Sequence, residues 1–135
     1  MGNPSERADA ASAETAVVDV LVVENDLAVR ESEAAVLRQA SYSVVEAEDS
    51  LSALACLTDI EFGAVVLDLY LPGLGGLWLL DELDDPPPVV LVTARELDYE
   101  VMRRRDKFLV YLKKPVPPSA LLSAVARAAT VSRGT

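Results

Sequence analysis

One stretch constrains the fold more than any other part of the chain, residues 64–73, which read Ala-Val-Val-Leu-Asp-Leu-Tyr-Leu-Pro-Gly. Four apolar residues run directly into Asp68, and no polar residue alternates with them. This pattern is typical of a strand that is buried on both faces and leaves a parallel sheet at the aspartate. Ligands of open α/β sheets bind at the carboxyl ends of the strands. Asp68 is therefore a candidate for chemistry, and a solvated turn aspartate is the alternative.

Similar apolar runs recur along the chain and alternate with helical patterns. The predicted strands are residues 17–23, 42–47, 64–67, 89–92 and 108–112. The predicted helices are residues 26–40, 51–58, 77–83, 97–105 and 117–129. Ser50 is expected to cap the second helix, and Gly75 and Gly76 to form a flexible turn before the third. Strand and helix alternate five times, which predicts an α/β fold with helices on both faces of a parallel sheet.

We expect one domain at residues 17–130, preceded by a disordered extension at residues 1–16 and followed by a tail at residues 131–135. The chain has 135 residues, 51% of them hydrophobic, which is enough to bury a core. No run reaches the roughly 18 apolar residues of a membrane span. The start of the chain lacks the basic and apolar segments of a signal peptide. The single cysteine, Cys56, cannot form an intramolecular disulfide, so we expect a cytoplasmic protein.

The charge balance argues against direct binding to nucleic acid. The chain carries 22 acidic and 12 basic residues, a net charge of −10, which repels a phosphate backbone. The only dense basic cluster, residues 103–105, is most simply a solvated helix face. The chain has no histidine. This excludes Ser/His and Cys/His catalytic pairs and zinc sites with histidine ligands.

Chemically useful groups follow four of the five predicted strands. They are Glu24, Asn25 and Asp26 after the first strand, Asp68 after the third, Thr93 at the end of the fourth and Lys114 after the fifth. Because parallel strands end at one edge of the sheet, these groups are expected to converge. Oxygen ligands suit Mg²⁺, and Asp68 can act as a carboxylate nucleophile. Lys114 and Thr93 would offset and hydrogen-bond the charge of a phosphoryl group. The alternative assigns Thr93 to capping and the charged groups to the surface.

These segments resemble the receiver domain of two-component response regulators over residues 17–130. Residues 21–26, Leu-Val-Val-Glu-Asn-Asp, resemble the acidic-pair strand of that family, and residues 66–73 resemble its phosphoacceptor motif. Residues 92–94, Val-Thr-Ala, resemble its switch hydroxyl, and residues 111–115, Tyr-Leu-Lys-Lys-Pro, its aromatic and Lys-Pro motif. The resemblance implies a flavodoxin-like, doubly wound (β/α)5 fold with strand order 2-1-3-4-5.

The resemblance also implies roles for individual residues at the site. Asp68 is the expected phosphorylation site. Mg²⁺, or Mn²⁺ in its place, is expected to bind Glu24, Asn25, Asp68 and the backbone carbonyl of Tyr70. Lys114 is expected to contact the phosphoryl group.

A switch and a partner surface are implied in the same way. Thr93 and Tyr111 form the expected switch, and the Lys114–Pro115 peptide bond is expected to be cis. The expected output surface is formed by the fourth helix, the fifth strand and the fifth helix. Its candidate contact residues are Arg103, Arg104, Arg105 and Tyr111.

The implied function is signal transduction by a phosphorylated protein. A sensor histidine kinase or a histidine phosphotransfer protein is the expected phosphodonor, and a downstream protein effector is the expected target. The resemblance also allows a homodimer through the output surface. The chain is not expected to be a multiple-turnover enzyme, although it would assist its own phosphorylation and dephosphorylation. The last predicted helix ends a few residues before the C-terminus, so we expect a stand-alone receiver.

Three departures from the family pattern bear on this hypothesis. Asn25 stands where a second carboxylate is usual, which predicts weaker Mg²⁺ binding. Asn25 also leaves open the alternative that the chain is a degenerate receiver, which binds a partner without being phosphorylated. Residues 78–88 predict a short third helix, and Arg-Asp-Lys at 105–107 replaces the usual Gly-Ala. A haloacid-dehalogenase type of phosphotransferase is disfavoured, because it needs an aspartate two residues after the nucleophile, where Tyr70 stands.

Overall fold

The computed structural model describes residues 16–134, in which strands and helices alternate along the chain. The strands are β1 Ala16–Val23, β2 Val44–Ala47, β3 Ile60–Leu67, β4 Val89–Thr93 and β5 Val110–Lys113. The helices are α1 Leu27–Gln39, α2 Ser50–Asp59, α3 Gly75–Glu82, α4 Tyr99–Met102 and α5 Pro118–Gly134, with a 3₁₀ turn at Arg105–Lys107. Residues 1–15 of the predicted extension lie outside the described residues, and Ala16 already belongs to β1.

The strands form one parallel sheet in the order β2-β1-β3-β4-β5. The predicted fold class and strand order are therefore confirmed. The register aligns the ends of the central strands, because Leu67 of β3 pairs with Val23 of β1 and with Leu91 of β4. Leu91 in turn pairs with Tyr111 of β5. Residues that follow these strands consequently meet at a single edge.

Both faces of the sheet are apolar because both are covered by helices. One core unites strand residues Leu21, Leu67 and Leu91 with helix residues from α2, α3 and α4, among them Ala53, Leu79, Leu80 and Val101. The other core unites Val20, Val66 and Val92 with residues from α1 and α5, among them Leu37, Leu121, Val125 and Ala128. Successive strand residues therefore enter opposite cores, which explains why apolar and polar residues do not alternate.

Two predicted helix starts are wrong. Asp49, not Ser50, caps α2, and its Oδ1 accepts a hydrogen bond from the Ser52 amide at 2.8 Å. Ser50 is instead the first residue of the helix and is buried, and its hydroxyl donates to the Gly75 carbonyl at 2.5 Å. Gly75 and Gly76 do not form a loop before the third helix, because they belong to the first turn of α3. The two helix starts are thus joined by a hydrogen bond that neither local pattern indicates.

The fourth helix is shorter than predicted. Residues 97–105 were expected to be helical, but α4 covers only Tyr99–Met102. Asp98 fixes its start by accepting a hydrogen bond from the Val101 amide at 3.0 Å, and the chain then tightens into the 3₁₀ turn. The third helix, at eight residues, is short as expected.

The end of the chain also differs from the prediction. The boundary predicted at residue 130 falls inside α5, which continues to Gly134. Cys56 is half-buried against the first core. Within residues 16–134, none of the helices is long and apolar enough to span a bilayer.

Candidate functional site

Two buried carboxylates and one ammonium group meet at the carboxyl edge of the sheet. Lys114, which follows β5, donates to Glu24 Oε1 at 2.7 Å and to Asp68 Oδ2 at 2.9 Å. The side chains of Glu24 and Asp68 are only 4% and 7% exposed, and that of Lys114 is 25% exposed. Partial burial acts to lower the pKa of Lys114, but the hydrogen bonds to both carboxylates outweigh it and raise the pKa. Lys114 therefore neutralises part of the charge of two buried carboxylates that would otherwise repel each other.

Backbone amides fix the second oxygen of each carboxylate. Glu24 Oε2 accepts a hydrogen bond from the Asp26 amide at 2.9 Å. Asp68 Oδ1 accepts one from the Tyr70 amide at 3.0 Å. Each carboxylate is thus oriented by its own loop on one side and by Lys114 on the other. Charge-assisted bonds of this kind hold a site in place before any ligand arrives.

The start of α1 holds the loop that follows β1. Asp26 caps the helix, because its Oδ1 accepts from the Val29 amide at 3.0 Å. One turn further on, Arg30 donates to the Glu24 carbonyl at 2.8 Å and lies 3.4 Å from a carboxylate oxygen of Glu46 on β2. The sequence predicts Asp26 as a strand-end acid and gives no signal for Arg30. Its role follows only from the packing of α1 on the sheet.

A further carboxyl group faces this cluster from α1. Glu33 is half-buried, and burial raises its pKa to about 7. The negative charges of Glu24 and Asp68 add to the increase, and Lys114 opposes it. Glu33 stands in an ordinary helical pattern, which gives no signal of this environment.

The oxygen groups at this edge suit a small hard cation. Glu24 and Asp68 offer carboxylates, Asn25 offers an amide oxygen, and the Tyr70 carbonyl is the fourth predicted ligand. Mg²⁺ in proteins usually takes one or two carboxylates and leaves other positions to water or phosphate, so this donor set fits it. No group of three or more acidic, cysteine or histidine side chains within residues 16–134 has metal-binding geometry. The fit therefore depends on two carboxylates with neutral oxygens beside them.

The predicted switch residues share a neighbour that was not predicted. Thr93 is fully buried at the end of β4, and its hydroxyl accepts a hydrogen bond from the Arg95 amide at 3.2 Å. The Tyr111 hydroxyl donates to the carbonyl of the same residue, Arg95. Lys113 of β5 forms an ion pair with Glu96 in the same loop. The loop after β4 is therefore attached to Thr93 at one end and to β5 along its length.

The loop after β3 depends on close backbone approach. Gly76 in α3 donates its amide to the Leu69 carbonyl at 3.1 Å. A methyl group on Gly76 would lie 2.6 Å from Leu69 Cα and 2.8 Å from the Asp68 carbonyl oxygen. Position 76 therefore admits only glycine if the Asp68 backbone keeps its place.

The three predicted partner-surface arginines have different environments. Arg104 is largely covered and pairs with Asp81 of α3 at 2.7 Å and with Glu100 at 3.2 Å. Its guanidinium lowers the pKa of Asp81. Arg103 and Arg105 are exposed. Arg104 thus connects α3 to α4 within the molecule, whereas the exposed Arg103 pairs with Glu100 of α4 at 3.3 Å.

The Lys114–Pro115 peptide bond is cis. This bond directly follows β5, at the same edge of the sheet as Asp68. A cleft of about 890 Å³ lies at the opposite edge, beside the proline run at residues 86–88. The clustered charges and this cleft are therefore in different places, and the charges identify the site.

Comparisons with known proteins agree with this geometry. A family model described as response regulator receiver domain matches residues 20–126. The phosphate regulon transcriptional regulatory protein PhoB of Pseudomonas aeruginosa is 33% identical over 122 residues, which cover 86% of this chain and 52% of that protein. Response regulator MprA of Mycobacterium sp. strain KMS is 37% identical over 110 residues, 78% of this chain and 48% of that protein. The chain thus spans about half the length of these relatives.

Solved structures show the same fold. The receiver domain of NtrX from Brucella abortus is 30% identical, with a TM-score of 0.74, over 82% of this chain and 98% of that one. A CheY-like receiver domain protein from Methanospirillum hungatei is 23% identical, with a TM-score of 0.79, over 90% of this chain and 98% of that one. The stand-alone organisation expected from the sequence stays a prediction.

Proposed function

Because the chain belongs to the response regulator receiver domain family, we propose that Asp68 accepts a phosphoryl group from a sensor histidine kinase or a histidine phosphotransfer protein. One observation carries the proposal, which is the ammonium of Lys114 held between the buried carboxylates of Glu24 and Asp68. A cation aimed at a strand-end aspartate is the arrangement that transfer of a charged group requires.

The proposed reaction is an attack by an Asp68 carboxylate oxygen on the phosphorus of a phosphohistidine. A phosphorus–oxygen bond forms, the phosphorus–nitrogen bond breaks, and its electron pair leaves with the imidazole. The Tyr70 amide orients Asp68, and Lys114 neutralises charge on the transferred oxygens. The chain would act as a phosphoacceptor that assists its own phosphorylation and dephosphorylation, not as a multiple-turnover enzyme.

The proposed cofactor is Mg²⁺, with Mn²⁺ as a substitute. Glu24, Asn25, Asp68 and the Tyr70 carbonyl would hold it, and the bound cation would supply positive charge to the phosphoryl oxygens. Lys114 and the Asp26 amide each donate a hydrogen bond to one oxygen of Glu24 and so orient its carboxylate at this edge.

The proposed output is a rearrangement of the loop after β4. A phosphoryl group adds about −1.5 to −2 charge and three acceptor oxygens next to β4, which would draw the Thr93 hydroxyl away from the Arg95 amide. Tyr111 contacts the same residue, so its position would change as well. The surface of α4, β5 and α5, with Arg103 and Arg105 exposed, would then bind a protein effector or a second copy of the chain.

Substitution of Asp68 is the direct test. Intact mass spectrometry after incubation with Mg²⁺ and acetyl phosphate is expected to show one added phosphoryl group on the wild type and none on Asp68→Asn. Asp85→Asn is the matched control, because Asp85 is an exposed aspartate at the opposite edge of the sheet. Equal labelling of Asp68→Asn and the wild type would overturn the proposal.

A degenerate receiver is the second candidate, and Asn25 is the observation that favours it. The amide oxygen of Asn25 supplies no formal charge, so the cation would bind two carboxylates instead of three. Such a protein would bind its partner without phosphorylation. Absence of both Mg²⁺ binding and phosphorylation in the wild type would favour this candidate.

Asn25→Asp is expected to increase Mg²⁺ affinity by about tenfold or more. A unit charge pair about 4 Å apart is worth roughly 4 kcal/mol at the dielectric of a protein surface, before solvation losses. Calorimetric titration with MgCl₂ measures the change. The only other asparagine, Asn3, lies outside the described residues, and Asn3→Asp provides the same chemical change as a control. An unchanged affinity in Asn25→Asp would contradict a cation site at this edge.

A further inference from the structure

Glu33 occupies an unusual place on the inner face of α1. Arg30, three residues earlier on the same helix face, donates to the Glu24 carbonyl at 2.8 Å. Leu37, four residues later on the same face, is completely buried in the core under α1 and α5. Glu33 therefore lies between the loop of the phosphoacceptor site and an apolar core. A carboxyl group is unfavourable to bury at such a position, so Glu33 is a candidate for a functional role.

The groups that act on Glu33 come from three different strands. Glu24 follows β1, Asp68 follows β3 and Lys114 follows β5, and each exerts an electrostatic effect on the Glu33 carboxyl. Within the described residues, the side chain of Glu33 forms no hydrogen bond or ion pair. Its carboxyl thus belongs to the charge cluster of the site without being used to hold the loops in place.

The charge of the cluster explains what this carboxyl adds. Glu24, Asp68 and Lys114 carry one net negative charge when all are ionised. An ionised Glu33 brings the cluster to two negative charges, which is the value that a carboxylate at position 25 would give. The Lys114 ammonium repels a cation at this edge, and a negative charge behind it offsets that repulsion.

We propose that Glu33 supplies from α1 the negative charge that Asn25 does not, and so increases the affinity of the Asp68 site for a divalent cation without ligating it. Glu33 acts through the field it exerts on Lys114 and the two carboxylates. It is a positioning residue, not a ligand. The inference rests on the proposed function, since it concerns the same cation.

Calorimetric titration of the full chain with MgCl₂ tests the inference. At about pH 8 and low ionic strength, Glu33→Gln is expected to weaken binding by about three- to tenfold. Glu31→Gln removes the same charge from an exposed position of the same helix and is expected to change the affinity by less than about twofold. Equal affinities of the two variants would overturn the inference.

The free energy of unfolding of Glu33→Gln distinguishes the loss of a charge from damage to the fold. Burial raises the pKa of Glu33 from 4.5 to about 7, so the folded chain keeps this proton to a higher pH than the unfolded chain. The contribution of Glu33 to the free energy of unfolding of the wild type therefore falls as the pH rises from about 4.5 to 7. Glu33→Gln is expected to lack this fall and to be at least as stable as the wild type at about pH 8. Weaker cation binding in a less stable variant would instead indicate damage to the fold and overturn the inference.

The same titrations distinguish this inference from the proposed function. A wild type that binds no Mg²⁺ and gains no phosphoryl group would overturn both. If the wild type binds Mg²⁺ and gains a phosphoryl group, but Glu33→Gln and Glu31→Gln bind Mg²⁺ with equal affinity, only the role of Glu33 is overturned.

Discussion

Lys114→Met is expected to lower the free energy of unfolding by about 2–3 kcal/mol near pH 7. The substitution keeps most of the apolar stem of the side chain but leaves Glu24 and Asp68, which are 4% and 7% exposed, without their shared cation. Removing one partner of a buried ion pair lowers the free energy of unfolding by more than the intact pair contributes to it. The reason is that the remaining charges stay buried, without hydration by water and without a partner. The 25% exposure of Lys114 keeps the expected loss below the range for a fully buried pair. Urea denaturation measures it.

The neighbouring lysine provides a matched control. Lys113 is exposed and pairs with Glu96, whose side chain is 74% exposed. Lys113→Met is expected to leave the free energy of unfolding nearly unchanged, because exposed ion pairs contribute little. Adding Asp68→Asn to Lys114→Met is expected to recover part of the loss by removing one uncompensated charge. Equal losses in the two lysine variants would show that the site charges do not depend on Lys114.

The parts of the fold that the sequence predicted are those set by local pattern and topology. Two-sided burial of β3 is visible in the run Ala64–Leu67, and parallel strands bring their carboxyl ends to one edge. These two facts are enough to bring Glu24, Asp68 and Lys114 together, as their hydrogen bonds show. The spacing of these residues along the chain predicts the geometry of the site, because strand ends have fixed positions in the sheet. Residues in the interior of a loop do not have fixed positions of this kind.

The errors concern interactions between elements distant in sequence. Ser50 resembles a helix cap, but it is buried against the start of α3, where its hydroxyl meets the Gly75 carbonyl. Asp49 takes the capping role one residue earlier. No local rule distinguishes the two, because both Asp and Ser are favoured caps. Ser50 takes the buried position because its hydroxyl bonds to the carbonyl of Gly75, 25 residues away, and Asp49 is left as the cap.

Charged residues were the hardest to interpret from sequence. Arg104 looked like part of a solvated basic patch, yet it pairs with Asp81 on another helix. Glu33 stands in an ordinary helical pattern, yet the charges of Glu24, Asp68 and Lys114 act on its carboxyl group. A charge on a helix has the same sequence pattern whether it meets water or another element, so its role depends on how the helix rotates onto the sheet.

Gly76→Ala is expected to destabilise the fold by about 2–3 kcal/mol and to slow phosphorylation of Asp68. In an ordinary helix, alanine is more favourable than glycine by about 1 kcal/mol. Helix propensity alone would therefore predict that Gly76→Ala stabilises the fold, which is the opposite of the effect expected here. The added methyl group would meet backbone atoms, at 2.6 Å from Leu69 Cα and 2.8 Å from the Asp68 carbonyl oxygen. Backbone cannot move aside as a flexible side chain can, so either α3 or the Asp68 loop must shift.

A second glycine in the same loop, at position 73, separates this effect from simple backbone strain. Gly73 has φ +73°, and a methyl group there would meet no atom within 4 Å. Gly73→Ala is therefore expected to cost only the strain of the left-handed conformation, about 1–2 kcal/mol, and to leave the Asp68 backbone in place. Urea denaturation and the rate of labelling by acetyl phosphate measure both variants. If Gly76→Ala is labelled as fast as Gly73→Ala, the close approach of α3 does not position Asp68. If the Gly76 variant alone is slow, the loop geometry of the phosphoacceptor depends on the absence of one methyl group.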